Sequence, residues 1–184
     1  MVKTVQDDDF NLVNSDKEFI YQNELTSKLD TNTNLFNQDI INEIVLWKVN
    51  RYAKLEDETL LLINEIEIDS IELDIEKTKE ILKKLLLIKG IQLPMASTIL
   101  RFRNKNIYQI IDQRVFRIIY QGKTLKISTY LSEKNINGQI DIYIKYLSDL
   151  RIICQELQIP FCDADRILYM ADKRINVSHK LKNY

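Results

Sequence analysis

The sequence predicts an all-α fold of seven or eight helices, and three observations carry that prediction. Apolar residues recur three and four positions apart along most of the chain, the period of one helix face. Only three Gly and two Pro occur in 184 residues, too few for the regular turns that β sandwiches and barrels need. The two short runs with strict alternation, Ile66 to Asp69 and Ile71 to Glu76, find no partner segments to build a sheet with.

Residues 1–36 are polar and rich in Asp and Asn and read as a loosely ordered acidic arm, with a short helix near Phe19 to Leu25. Residues 37–184 read as a single helical domain. Ile40, Ile41, Ile44, Val45, Lys48 and Tyr52 mark its first helix, capped by Asn37 or Asp39. A second runs from Asp57 or Glu58 to about Glu67. The alternating stretch 66–76 reads as a helix break at Asp69–Ser70 followed by an acidic first turn, with a short hairpin as the alternative. The next helix runs to Lys89, its core face set by Ile81, Leu82, Leu85, Leu86 and Ile88. Gly90-Ile-Gln-Leu-Pro94 then joins it to a helix from Pro94 to about Arg103. Glycine just past one helix and proline at the start of the next is the expected asymmetry, so 80–103 forms a helix–turn–helix unit. Asp112 leads a helix to about Tyr120, and 122–137 is less regular. Ile140, Tyr143, Ile144, Leu147, Leu150, Cys154 and Leu157 define a long amphipathic helix. After Pro160, Asp163 or Asp165 caps a last helix through Lys173.

Composition excludes several function classes. A single histidine, His179, excludes His-rich metal sites and argues against a Ser-His-Asp triad. Two cysteines, Cys154 and Cys162, make no four-thiolate site; Cys154 lies on an apolar stripe and reads as a small core residue. No metal or cofactor is expected. The longest apolar run is Ile167 to Ala171, so no membrane partner is expected. The N-terminus lacks an apolar stretch of signal-peptide length, and the chain is expected to be soluble and cytoplasmic. Oligomeric state is not legible.

The net charge of −1 conceals a division. Residues 1–80 hold 8 Lys+Arg and 19 Asp+Glu, a balance of −11; the other 18 and 8 give residues 81–184 a balance of +10. A basic half of this kind suits a polyanion. The alternative is that the two halves pack together and neutralise one another.

Leu85-Leu-Leu-Ile-Lys-Gly-Ile-Gln-Leu-Pro-Met-Ala-Ser-Thr-Ile-Leu-Arg-Phe-Arg and Ile110-Ile-Asp-Gln-Arg-Val-Phe-Arg117 resemble the helix–hairpin–helix DNA glycosylases typified by endonuclease III and the adenine glycosylases. Gly90 matches the first hairpin glycine, Ile91 the apolar residue after it, and Ala96 the small residue of the second helix. Asp112 matches the catalytic aspartate, followed by Val115 and Arg117. The twelve positions from Leu100 to Asp112 equal the family's spacing. The resemblance covers Leu85 to Tyr120, 36 of 184 positions, and is to the members without an iron–sulfur cluster.

The resemblance implies a DNA-binding protein that hydrolyses an N-glycosidic bond with Asp112, on a base flipped from double-stranded DNA. Lys89, Gly90, Gln92, Ser97, Arg101, Arg103, Arg114 and Arg117 make up the expected DNA-contacting set. Two departures qualify it. Gln92 replaces the second hairpin glycine, and Pro94 stands where bifunctional members carry a Schiff-base lysine, so a monofunctional enzyme without β-lyase activity is expected. Asp112 also reads as a plain helix cap, which leaves a non-catalytic DNA-binding or protein-interaction module as the alternative. Trp47 and the nine tyrosines include candidates for base stacking, but helical spacing places most in the core, and none is singled out.

Overall fold

Burial of the helix Leu93–Arg103 on every side organises the architecture. The structure, a computed structural model, describes residues 2–20, 23–49, 55–88, 90–128, 130–179 and 181. Among them are eight α-helices and no strand: α1 Asn23–Asp30, α2 Gln38–Val49, α3 Asp57–Asn64, α4 Ile75–Leu87, α5 Leu93–Arg103, α6 Gln113–Ile119, α7 Glu133–Leu157 and α8 Ala164–Ile175. Short 3-10 turns at Asn14–Lys17 and Phe161–Asp163 complete them. The all-α prediction holds. α5 packs against α2, α3, α4 and α7, and Leu93 and every residue from Met95 to Arg103 are buried. α6 and the turn at 14–17 pack on α8.

Local chemistry accounts for the helix ends. Asn37 caps α2, its Oδ1 accepting from Ile40 N at 3.0 Å. Asp74 caps α4 through Lys77 N at 2.9 Å, and Ser132 caps α7 through Asn135 N. Gly90, at φ +92°, turns the chain out of α4, a left-handed conformation that glycine adopts without strain. Pro94 sits in the first turn of α5, where its missing N–H costs nothing.

Several expectations are corrected. The helix break is longer than expected: residues 65–74 form an irregular turn and no hairpin, and α4 then starts at Ile75 with Glu76 in its first turn. Asn104 Nδ2 donates to the carbonyls of Glu67 at 2.6 Å and Ser70 at 2.9 Å, replacing the backbone pairing that either regular structure would supply. α3 therefore stops at Asn64, and α4 at Leu87 rather than Lys89. The first short helix lies later than expected, at Asn23–Asp30, and α7 begins at Glu133, running through Gly138.

The described part of the acidic arm packs on α8. Lys3 and Asn176 exchange two hydrogen bonds, at 2.7 and 2.8 Å. Val5 N donates to Ile118 O at 2.8 Å. Asp16, 2 % exposed, takes Arg174 through both carboxylate oxygens. Polarity made this stretch look solvated, but Asp16 and Asp30 are matched by arginines from distant helices. The two halves accordingly neutralise one another in part, through Asp16–Arg174, Asp30 with Arg101 and Arg166, and Glu58–Lys84. No helix among the described residues is long and apolar enough to cross a membrane.

Candidate functional site

The segment Tyr108–Ile111 is buried throughout and has most of its backbone held by hydrogen bonds. Tyr143 Oη donates to Gln109 O at 3.0 Å and Tyr146 Oη to Ile110 O at 2.7 Å. Ile110 N donates to Asp165 Oδ2 at 3.0 Å, and Asp165 N returns a bond to Gln109 Oε1 at 3.2 Å. Ile111 N donates to Ser97 Oγ at 3.2 Å, tying the segment to the early turns of α5. Rigid support of this kind fixes the position of the next residue, Asp112.

Asp112 is the N-cap of α6, its Oδ1 accepting from Val115 N at 2.9 Å. It also lines a cavity of about 190 Å³ together with Phe19, Trp47, Lys48, Ile110, Val115, Asp165, Arg166 and Tyr169. Three aromatic rings form the walls: Phe19 lies 6.3 Å from Trp47 and 6.2 Å, edge-on, from Tyr169. Trp47 is braced from behind by Phe102 at 5.2 Å and by Thr26, whose Oγ1 accepts from its indole N–H at 2.6 Å. Arg166 lies 5.0 Å over the Phe19 ring and is held there by Asp30.

Burial pushes the Asp112 carboxyl above the usual carboxylate range, against the opposing pull of Lys48 and of the backbone N–H groups of Val115 and Arg114. Charge at this carboxyl is thus costly when the cavity is empty and eased by one neighbouring ammonium. Two further cations adjoin the Tyr169 wall: Arg114 lies 5.6 Å and Lys173 5.7 Å from its ring centre. A carboxylate raised by burial beside flat apolar walls suits a planar ligand that develops positive charge next to the carboxylate.

The expected DNA-contacting set is scattered by the fold. Gly90 and Gln92 lie exposed in the α4–α5 turn, and Lys89 lies outside the described residues. Ser97 is fully buried, its hydroxyl donating to Pro94 O at 2.8 Å. Arg101, 1 % exposed, pairs with Asp30 at 2.6 Å. Arg103, 5 % exposed, donates to Asn64 O at 2.7 Å and lies over the Phe36 ring. Arg117 is buried against Asp172, with Nε and Nη2 both at 2.7 Å from its oxygens. In these places Ser97, Arg101, Arg103 and Arg117 do not present themselves to a duplex. Arg114 alone of the four arginines reaches the surface, half-buried and 3.1 Å from Asp172. No local signal gave this away: Ser97, Thr98 and Arg101 fall on one side of α5 and read as a polar face, and only the helices packed around α5 bury them.

Sequence reasoning located Asp112 but not the rest of its cavity. Phe19, Trp47, Lys48, Arg166 and Tyr169 come from the N-terminal segment, α2 and α8, remote from the motif. Their helical spacing was indistinguishable from that of core residues. No family model, curated protein or solved structure matches the chain.

Proposed function

We propose that this chain is a DNA-binding protein that hydrolyses an N-glycosidic bond in the manner of the monofunctional base-excision glycosylases, with Asp112 as the acting carboxylate. The observation that carries the proposal is the opening of Asp112 onto an aromatic-walled cavity. A flipped base stacks between such rings. Its glycosidic bond then lies beside the carboxylate, which stabilises the oxocarbenium-like sugar as the bond lengthens. Water adds at C1′ and passes its proton to Asp112, and the base departs with the bonding electron pair and takes up a proton. A carboxyl raised by burial is a stronger base than a free aspartate. Lys48 limits that rise, so the carboxylate stays available to act. Lys48, Arg114 and Lys173 supply a cationic rim for the flanking phosphates.

Release of free base from duplexes carrying deaminated, oxidised, alkylated or mismatched bases, measured by chromatography, tests the proposal. Asp112→Asn keeps the helix cap, since Asn caps as well as Asp. It is expected to lower release by about 10²- to 10⁴-fold while leaving duplex affinity unchanged. Release that survives the substitution removes Asp112 from the chemistry.

The second reading, a non-catalytic module, is favoured by the internal pairing of Arg101, Arg103 and Arg117 and by the capping role of Asp112. Salt separates the two partner classes: log affinity for a duplex falls linearly with log salt if phosphates are bound. No duplex binding at low salt leaves only the protein-interaction form.

A further inference from the structure

A second cavity, also of about 190 Å³, lies at the far end of α5 from the hairpin. It is lined by Asp30, Asn32 and Thr33 from the α1–α2 loop, Ile68 and Asp69 from the irregular turn, and Arg101 to Lys105. Its charges are unequally matched. Arg101 is compensated by Asp30, which also takes Arg166, and Asp163 and Asp165 stand 3.7 Å from its guanidinium. Arg103 is not compensated. It is 5 % exposed, and among the described residues no carboxylate lies within ion-pair distance of it. Its one hydrogen bond goes to the Asn64 carbonyl. Nε is buried without an acceptor, as are those of Arg101 and Arg166, but Arg103 alone of the three lacks an ion-pair partner among the described residues, and desolvation lowers its proton affinity. Lys105, exposed on the same cavity, likewise has no carboxylate partner among the described residues.

A buried guanidinium with free donors is costly unless an anion meets it. Its planar fork favours an oxyanion that accepts two parallel N–H bonds. Carboxylates of the chain do not fill that role: Asp30 is engaged by two arginines, and Asp69 sits exposed at the margin. We propose that this cavity binds a phosphate group, with Arg103 as its buried anchor and Lys105 as its outer cation. The proposal is independent of the Asp112 reading. The phosphate comes either from a small soluble molecule or from a nucleic-acid backbone, and the two sources separate experimentally.

Calorimetric titration of the full chain with inorganic phosphate, at fixed ionic strength set with chloride, tests it. One saturable site is expected. Lys105→Ala, an exposed change, weakens it about tenfold, the loss of one charge-assisted bond. Arg103→Met abolishes it, and Arg103→Lys retains part. If the backbone is the source, inorganic phosphate displaces a labelled duplex and Lys105→Ala weakens duplex binding. If a small molecule is the source, duplex affinity is unaffected by both. Absence of saturable phosphate binding in the wild-type chain, or binding undiminished in the Lys105→Ala variant, overturns the proposal.

Discussion

Asp172→Ala isolates what the second arginine of the Asp-x-x-Val-x-Arg segment does. Asp172 is fully buried and accepts four bonds: Arg117 Nε and Nη2 at 2.7 Å, Asn176 Nδ2 at 2.9 Å and Arg114 Nη1 at 3.1 Å. Truncation leaves Arg117, 5 % exposed, with only the His179 carbonyl at 2.8 Å. Arg114 is half-buried and regains water, so its loss is small. Removing one partner of a buried pair costs about 3–5 kcal/mol, a large share of the roughly 5–15 kcal/mol a domain holds. At about 2–4 °C per kcal/mol for this chain length, the melting temperature falls by about 6–20 °C. Urea unfolding monitored by circular dichroism reads the loss as a lowered midpoint at constant slope. Replacing both partners, as Arg117→Met with Asp172→Leu, is expected to be near neutral, because the desolvation cost of the charges disappears with them. A single-variant loss below about 1 kcal/mol refutes the reasoning, since it means that Arg117 finds water or another partner. The double variant carries a functional arm as well. If Arg117 serves a DNA phosphate, the salt slope of duplex binding drops by about one; no change is expected.

Burial works to raise the Asp30 carboxyl, but Arg166 and Arg101 outweigh it and hold the group below the usual carboxylate range. Its stabilising contribution is therefore present above the unfolded pKa of about 3.9 and lost as pH falls through the lower folded value. Acid titration of thermal stability checks this, and Asp30→Asn flattens the acid limb. Lys48→Gln removes the cation that opposes burial at Asp112, so the acid limb of the base-release pH profile moves to higher pH; an unmoved limb disconnects Lys48 from Asp112. Gly90→Ala meets no atom within 4 Å but takes on the strain of φ +92°, and a loss of about 1–2 kcal/mol is expected in urea unfolding.

The all-α class was legible because it depends on periodicity and on the scarcity of turn residues, both properties of the chain itself. The caps at Asn37 and Asp112 were equally local, since a cap bonds within three residues of itself. The fate of the charges was not local. Arg101 and Arg103 sit two apart on α5 like surface cations, and only the packing of four other helices around α5 makes them interior. Asp16 and Asp30 read as solvated acids because Arg174, Arg101 and Arg166 are far along the sequence. The cavity shows the same division. Asp112 carries a local signature, whereas Phe19 and Tyr169 lie far apart in the sequence, and no spacing rule connects them.

That last separation has a consequence for how the chain acquires its site. Phe19 leaves the ribosome before any of the eight helices and Tyr169 leaves with α8, after the other seven, yet their rings close the same cavity at 6.2 Å. Such long-range closure is the slow part of folding, because loop entropy is lost before the contact is gained. Helices α2 to α7 can assemble around α5 as synthesis proceeds, but a nascent chain stopped before α8 lacks the Tyr169 wall, the Arg166 brace and the anchors of the N-terminal segment at Asn176 and Arg174. The Asp112 carboxyl would then lack one wall of its cavity. Synthesis of α8 therefore acts as the timing step for the site, and a pulse of limited proteolysis on stalled chains would see the segment around Asp16 and Phe19 become protected only after α8 is released.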